Sequence, residues 1–215
     1  MNTLLTKLTQ SGIIPVFSHP DVEVSLAVVR ACYDGGLRAF EYTNRNAQAL
    51  DNFRQVAEVA KRDMPDLLLG AGTIWDVPMA ETFAAAGADF IVSPIMNPAV
   101  GAWCREHNLL WSPGCMTVTE VFQARQQGAE LVKVFPGEVV GPAFVRSVKS
   151  VMPDVMLMVT GGVEPTTESL KAWFGAGVSC VGMGSQLFSK QAIAEKDWAT
   201  IQQTVAQAIS LLKGL

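Results

Sequence analysis

The feature that most constrains this chain is a phrase that recurs along it, in which an Ala-rich helical pattern ends at a glycine and an apolar strand pattern begins at once. It reads Asp34-Gly-Gly-Leu37 before Arg38-Ala-Phe-Glu-Tyr42, and Ala85-Ala-Gly-Ala-Asp89 before Phe90-Ile-Val-Ser93. It returns as Gln126-Gln-Gly-Ala-Glu130 before Leu131-Val-Lys-Val134, and as Gly175-Ala-Gly-Val178 before Ser179-Cys-Val-Gly182. A glycine just past a helix takes the left-handed conformation that ends it, so each phrase is the helix-to-strand half of a βα unit. With the intervening patterns, strands are expected near 13–17, 37–42, 67–72, 88–92, 109–112, 130–135, 155–160 and 178–182. Helices are expected near 21–34, 47–62, 77–86, 97–107, 117–127, 141–150, 167–176 and 192–212. Strict alternation over eight strands predicts an α/β fold of the parallel (β/α)8, or TIM, barrel type. An open doubly wound sheet needs fewer strands and a recognisable dinucleotide fingerprint. Residues 1–215 read as a single domain, with Asn2–Gln10 forming a short N-terminal helix over the bottom of the barrel.

Composition narrows the function. A chain of 215 residues, 49% hydrophobic and 17% charged, has ample material for one core. Sixteen basic against 20 acidic residues give a formal charge of -4, which argues against nucleic-acid or anionic-membrane partners and towards small-molecule chemistry. The start, Met1–Gln10, has neither a continuous apolar core nor a small-residue cleavage site, and no stretch reaches membrane-span length. A cytoplasmic location is expected. Cys32, Cys104, Cys115 and Cys180 are scattered, and His19 and His107 lie at no zinc-ligand spacing from them, so neither a disulfide framework nor a metal is expected. Cys115, in an expected Pro113–Met116 turn, reads as a small core residue. The two histidines read as surface residues.

Lys133 interrupts the apolar run Glu130-Leu-Val-Lys-Val-Phe-Pro136. An ammonium among aliphatic side chains loses hydration, which favours the neutral amine, and a neutral amine can attack a carbonyl. By the period-two rule Leu131, Lys133 and Phe135 share one face of their strand, and Leu37, Ala39 and Glu41 share one face of theirs. Both charged residues would then point into the barrel, where each is costly unless paired or functional. A carboxylate near an amine supplies the proton transfers that imine chemistry needs. A purely structural ion pair is the competing reading.

Other polar residues gather at C-terminal strand ends, the face on which barrel active sites are built: Thr43, Thr73, Ser93-Pro94, Ser112, Thr160-Gly-Gly162 and Gly182-Met-Gly-Ser185. The glycine-rich ends would expose backbone N–H groups, and helices starting after them would aim positive ends at an anion such as a phosphate. Arg45, just beyond the second strand, could grip a carboxylate. Three functions remain open on these residues: an imine-forming aldolase, a phosphosugar isomerase or epimerase using Glu41 as base, and a barrel that binds a phosphorylated ligand without catalysis.

Between Ile13 and Phe188 the chain resembles the 2-keto-3-deoxy-6-phosphogluconate (KDPG) and 4-hydroxy-2-oxoglutarate (KHG) aldolase family of class I aldolases. The resemblance rests on Gly35-Gly-Leu-Arg-Ala-Phe-Glu-Tyr-Thr43, Gly70-Ala-Gly-Thr73, Ser93-Pro94, Pro113-Gly114, Val132-Lys-Val-Phe-Pro136 and Thr160-Gly-Gly162. It implies a cofactor-free barrel, commonly a homotrimer, that cleaves a 2-keto-4-hydroxy acid to pyruvate and an aldehyde, glyceraldehyde 3-phosphate or glyoxylate. It implies Lys133 as the Schiff-base lysine and Glu41 as the acid/base. Arg45 and Thr73 would contact the substrate carboxylate, Pro94 and Phe135 would wall the pocket, and Thr160, Gly161, Gly162, Gly184 and Ser185 would lie in the region receiving the distal phosphate. The chain departs from relatives at Asn44 and Asn46 beside Arg45, at Gly137 where alanine is usual, and in a Gly182–Ser185 loop that looks one residue longer. Exposed-looking Trp75 and Trp173 fit an oligomer surface.

Overall fold

The computed structural model describes residues 3–215, so Asn2 of the expected first helix lies outside the described residues. Helix α1 (Thr3–Ser11) leads into β1 (Ile13–Phe17), α2 (Val22–Asp34), β2 (Ala39–Thr43), α3 (Ala49–Asp63), β3 (Leu68–Gly72), α4 (Val77–Ala85), β4 (Phe90–Val92) and α5 (Pro98–Glu106). There follow β5 (Leu110–Ser112), β6 (Gly114–Cys115), α6 (Val118–Gln126), β7 (Leu131–Val134), α7 (Gly137–Val151), β8 (Met156–Thr160), α8 (Thr167–Phe174), β9 (Cys180–Met183), α9 (Lys190–Ala194) and α10 (Trp198–Lys213). All strand pairings are parallel, in the order β5-β4-β3-β2-β1-β9-β8-β7-β6.

The two edge strands of that list are halves of one barrel strand. Leu110–Ser112 pairs with β4, Gly114–Cys115 pairs with β7, and Pro113 lies between them. Proline has no N–H to give to a ladder, so the strand is interrupted there. Its carbonyl still accepts the Lys133 N–H at 2.9 Å, which carries the seam across the break. Nine strand segments therefore make an eight-stranded barrel. The expected Pro113–Met116 turn is corrected: Gly114 and Cys115 continue the strand.

The recurring glycine phrase has the conformation its sequence calls for. Gly36, Gly87, Gly128 and Gly177 have φ of 106°, 102°, 91° and 103°. In each case the next residue's N–H reaches back five residues: Leu37 to Cys32, Ala88 to Phe83, Ala129 to Ala124 and Val178 to Trp173. This is the bond that closes a Schellman motif and satisfies a terminal carbonyl. Helix starts are capped in turn by Asp21, Asp76, Asn97, Thr117 and Thr166, whose side chains accept N–H groups of the first turn.

Two apolar layers follow from the strand alternation. Ile14, Ala39, Phe90, Val92, Leu110, Leu131, Met158 and Cys180 form one buried cluster inside the barrel, and Leu5 and Leu8 of α1 join it from below as a plug. Phe40, Tyr42, Val132, Val134, Val159 and Val181 belong to the larger cluster between strands and helices. Leu37 lies in this outer cluster, contrary to the face expected of it, because β2 begins only at Ala39. Two helices also differ from expectation. The helix expected from 141 starts at Gly137 and is bent at Gly141 (φ 68°) ahead of Pro142, and the last splits into α9 and α10 at Lys196 (φ 55°). Among the described residues no helix is long and apolar enough to cross a membrane.

Candidate active site

Strands β2 and β7 lie four steps apart whichever way one counts around the eight-stranded barrel, so they face each other across it. Alternation points Glu41 and Lys133 inward from these opposite walls. The two long side chains meet in the middle, where Nζ of Lys133 donates to Oε1 of Glu41 at 3.2 Å and to Oε2 at 3.4 Å. Glu41 is 0% and Lys133 3% exposed. The Phe135 ring centre stands 5.3 Å from Nζ. Below the pair lie the apolar side chains of Phe90, Leu131 and Met158.

Room for the carboxylate comes from β3. A Cβ on Gly72 would collide with Oε1, Cγ and Cδ of Glu41, so any other residue there would displace the carboxylate. On the opposite side Gly182 pairs with Thr160 in register, and a Cβ on Gly182 would collide with the Thr160 hydroxyl. Sequence reasoning missed both roles. The signal for the first was available as Gly70-Ala-Gly72, two glycines on the inward face of a strand adjoining Glu41.

The expected carboxylate-binding residues are neighbours at the mouth. Arg45 and Thr73 follow the adjacent strands β2 and β3, and Nε of Arg45 donates to Oγ1 of Thr73 at 3.3 Å. Thr73 has φ 62°, an outlier for a β-branched residue, and such strain concentrates at functional sites. The flanking bonds Asn44 N–H to Gly72 and Ile74 N–H to Val92 hold it in place. Asn44 donates to the Met79 sulfur at 3.8 Å. Pro94 follows β4, with its carbonyl lying so close to Gly114 that a side chain at 114 would not fit. Ser18 and Thr43 hydroxyls, 2.9 Å apart, tie the ends of β1 and β2 together.

The glycine-rich rim differs from its expected form. Gly161 and Gly162 have φ of 96° and 69°, conformations that suit glycine. The helix after them, α8, begins only at Thr167 and its N-terminus is already capped by Thr166. The helix start that adjoins the loop is that of α7. A Cβ on Gly161 would lie 3.2 Å from the Gly137 nitrogen, and Pro136 at its N-cap offers no side-chain acceptor. Glycine stands at 137 for a local reason, since a Cβ there would collide with the Gly161 carbonyl. Glu138 was also unforeseen: its carboxylate lies against Gly161. Gly184 and Ser185 stand on the adjoining rim after β9, with Ser185 exposed.

Trp75 is 44% exposed, but Trp173 is only 3% exposed, which corrects the expectation for it; its indole donates to the Gly162 carbonyl at 3.3 Å and so props the loop. His19 is half-buried and its Nδ1 accepts the Asp21 N–H, while His107 is exposed and stacks on Trp103. All four cysteines are free and buried. Burial pushes the Cys115 thiol up to about 12, with the nearby Glu120 adding to the rise, so it stays a protonated packing group.

Comparison with known proteins gives this arrangement a family. Residues 4–204 match the sequence profile of the KDPG and KHG aldolase family. A 2-dehydro-3-deoxy-phosphogluconate aldolase of Treponema pallidum is 30% identical over 213 residues, covering 99% of each chain. Among solved structures, the KDPG aldolase of Legionella pneumophila with pyruvate captured as a covalent carbinolamine has a TM-score of 0.83 at 26% identity, covering 94% of this chain and 96% of that one. The 2-keto-3-deoxy-6-phosphogluconate aldolase of Zymomonas mobilis with 3-phosphoglycerate has a TM-score of 0.85 at 27% identity, covering 97% and 95%. The chain belongs to the KDPG and KHG aldolase family. It is a class I aldolase, a carbon–carbon lyase that releases pyruvate and an aldehyde.

Proposed function

We propose that the substrate is 2-keto-3-deoxy-6-phosphogluconate and that Lys133 and Glu41 carry its cleavage to pyruvate and glyceraldehyde 3-phosphate. The observation that supports this most is the meeting of the two side chains across the barrel at 3.2 Å, in a chamber otherwise floored by apolar groups. Lys133 passes a proton to Glu41 along their 3.2 Å contact, the freed lone pair attacks the C2 ketone as the carbonyl electrons move to oxygen, and the oxygen takes up the proton that the nitrogen then gives up. The resulting carbinolamine loses water as the nitrogen lone pair forms the C=N bond. Glu41 accepts the C4 hydroxyl proton; the electrons of the broken O–H bond form the second C4–O bond of the aldehyde while the C3–C4 electrons pass into the iminium, leaving an enamine. Protonation at C3 and hydrolysis then free pyruvate and the lysine. Glu41 is within proton-transfer reach of the nitrogen itself, so one carboxylate can serve successive steps.

Arg45 and Thr73 are assigned to the substrate carboxylate, because they form a hydrogen-bonded donor pair at the mouth. Pro94 and Phe135 wall the pocket, and Thr160 offers a hydroxyl at the end of β8. Gly161, Gly162, Gly184 and Ser185 receive the phosphate. The support is the positive-φ loop beside the uncapped start of α7, and the phosphorylated ligand of the Zymomonas relative. No metal or cofactor enters the scheme.

The assembly is a homotrimer in this reading. Trp75, Ile95, Met116, Val118 and Phe122, all exposed, follow or adjoin the neighbouring strands β3, β4 and β6 and so occupy one sector of the rim. Clustered exposed apolar residues mark interaction surfaces. Four unpaired cysteines accord with a reducing cytoplasm.

The test is borohydride reduction in the presence of pyruvate, followed by mass spectrometry of peptides. A pyruvate-derived adduct on the Lys133 peptide that is lost in Lys133→Ala is the expected result. Its absence from folded wild-type protein would sink the residue assignment. Competition by inorganic phosphate against KDPG but not against 4-hydroxy-2-oxoglutarate cleavage checks the phosphate subsite.

A further inference from the structure

Among the described residues two buried side-chain oxygens have no hydrogen-bond partner, those of Ser112 and Thr160. Buried hydroxyls are normally bonded, so each such group requires an explanation. Thr160 is 7% exposed and adjoins the Gly161–Gly162 loop, where a substrate hydroxyl would pass. Ser112 is 1% exposed, and nothing above assigns it a role.

Its direction follows from its strand. Leu110 lies in the interior cluster and Trp111 in the outer one, where the indole donates to the Ser93 hydroxyl at 3.0 Å. Alternation returns Ser112 to the interior. The next residue, Pro113, accepts the Lys133 N–H, so Ser112 stands on the strand adjoining the lysine and faces the same chamber. Of the other inward hydroxyls near the mouth, that of Thr43 is occupied by Ser18, and that of Thr160, unpartnered like Ser112, lies further up beside the Gly161–Gly162 loop. The chamber thus holds an ion pair and a deep, uncommitted hydroxyl on the lysine's own side.

We propose that Ser112 is a positioning residue that holds the water released and consumed at the Lys133 imine. The inference rests on the Schiff-base reading above. Carbinolamine breakdown splits the C2–O bond and expels one water into an enclosed space; imine hydrolysis returns one to C2 as the C=N electrons go back to nitrogen and the water gives up a proton. Glu41 can take or supply that proton, but a carboxylate alone leaves the water's orientation unset. Buried waters make about three hydrogen bonds to otherwise unsatisfied groups, and the Ser112 hydroxyl supplies one such contact.

The experiment mixes enzyme with labelled pyruvate, quenches into borohydride at increasing times, and counts the adduct. Ser112→Thr and Ser112→Val have the same shape and differ by the hydroxyl, and both β-branched residues suit a strand. Relative to the Thr variant, Val is expected to slow approach to equilibrium roughly three- to tenfold, the rate equivalent of one hydrogen bond lost from a transition state. The final amount of adduct should not change, because a water held for both directions alters rates and leaves the equilibrium alone. A merely structural serine would instead change the plateau or the Tm. Equal rates in the two variants, or a shifted plateau, would overturn the role of Ser112 while leaving the imine reading intact. No adduct in the wild type would overturn both.

Discussion

The barrel interior has two storeys, and the same strands build both. Reading two residues along each strand towards the mouth, Ala39 gives way to Glu41, Leu131 to Lys133, Leu110 to Ser112, Met158 to Thr160 and Cys180 to Gly182. The lower storey is apolar and sealed by Leu5 and Leu8 of α1. The upper one holds a buried ion pair and two unpartnered hydroxyls, beside glycines that leave room for them. Burying an aliphatic side chain stabilises a fold by roughly 1.5–3 kcal/mol, whereas a buried ion pair is often no better than apolar packing. Apolar packing is therefore concentrated below and the groups proposed for the chemistry above, and the period-two geometry lets one strand serve each.

The strongest way to break this comparison is Lys133→Ala. Cleavage should fall to background, and the fold should lose about 3–5 kcal/mol because Glu41 is left buried without its counter-charge. Replacing both partners by apolar residues, Lys133→Met with Glu41→Leu, makes the upper storey resemble the lower. That inactive variant should unfold later than the wild type, by up to about 1–4 kcal/mol, in urea titrations at fixed protein concentration. A double variant no more stable than Lys133→Ala would refute the division of labour. Next in size is Glu41→Gln, which keeps volume but removes the proton acceptor. Turnover should drop about 10²–10⁴-fold while a Lys133 adduct with pyruvate remains trappable. In the lower storey Phe90→Ala should cost about 3–5 kcal/mol of stability and leave kcat/KM per folded molecule unchanged.

Much of this division was legible in the residue order because it rests on short-range rules. The four helix-ending glycines located the βα units, and alternation sent Glu41 and Lys133 to one interior. What escaped were features decided by particular neighbours. Asn108, with φ 55°, ends α5 in the same way as the glycines, with Leu109 N–H reaching Cys104, but asparagine lacks their obvious signature. Pro113 reads as a turn until two different strands are seen to use its two sides. The buried Trp173 and the inward turn of Ser112 depend on which element lies opposite, and the start of α7 beside Gly161 depends on a loop about two dozen residues further on, a separation that no local pattern encodes.

The smallest expected effect gives the sharpest contrast, because it uses two glycines of the same strand. Neither Gly70 nor Gly72 has a positive φ, so alanine fits the backbone at both and only the space in front of the new Cβ matters. At Gly70 that space is filled by the Phe90 ring, a lower-storey group; at Gly72 it is filled by the Glu41 carboxylate. Each Gly→Ala change should cost about 1–3 kcal/mol through overpacking. Gly70→Ala should leave kcat/KM near the wild-type value. Gly72→Ala must push the Glu41 carboxylate aside, since the new Cβ meets Cγ and Cδ as well as Oε1, and the shift costs one of the two contacts to Nζ, at 3.2 and 3.4 Å, while the carboxylate itself remains. Activity should therefore fall roughly tenfold, the equivalent of one displaced hydrogen bond and well short of the Glu41→Gln loss. Equal activity losses in the two variants would mean that packing in the lower storey does reach the chemistry, and that the barrel interior acts as one body.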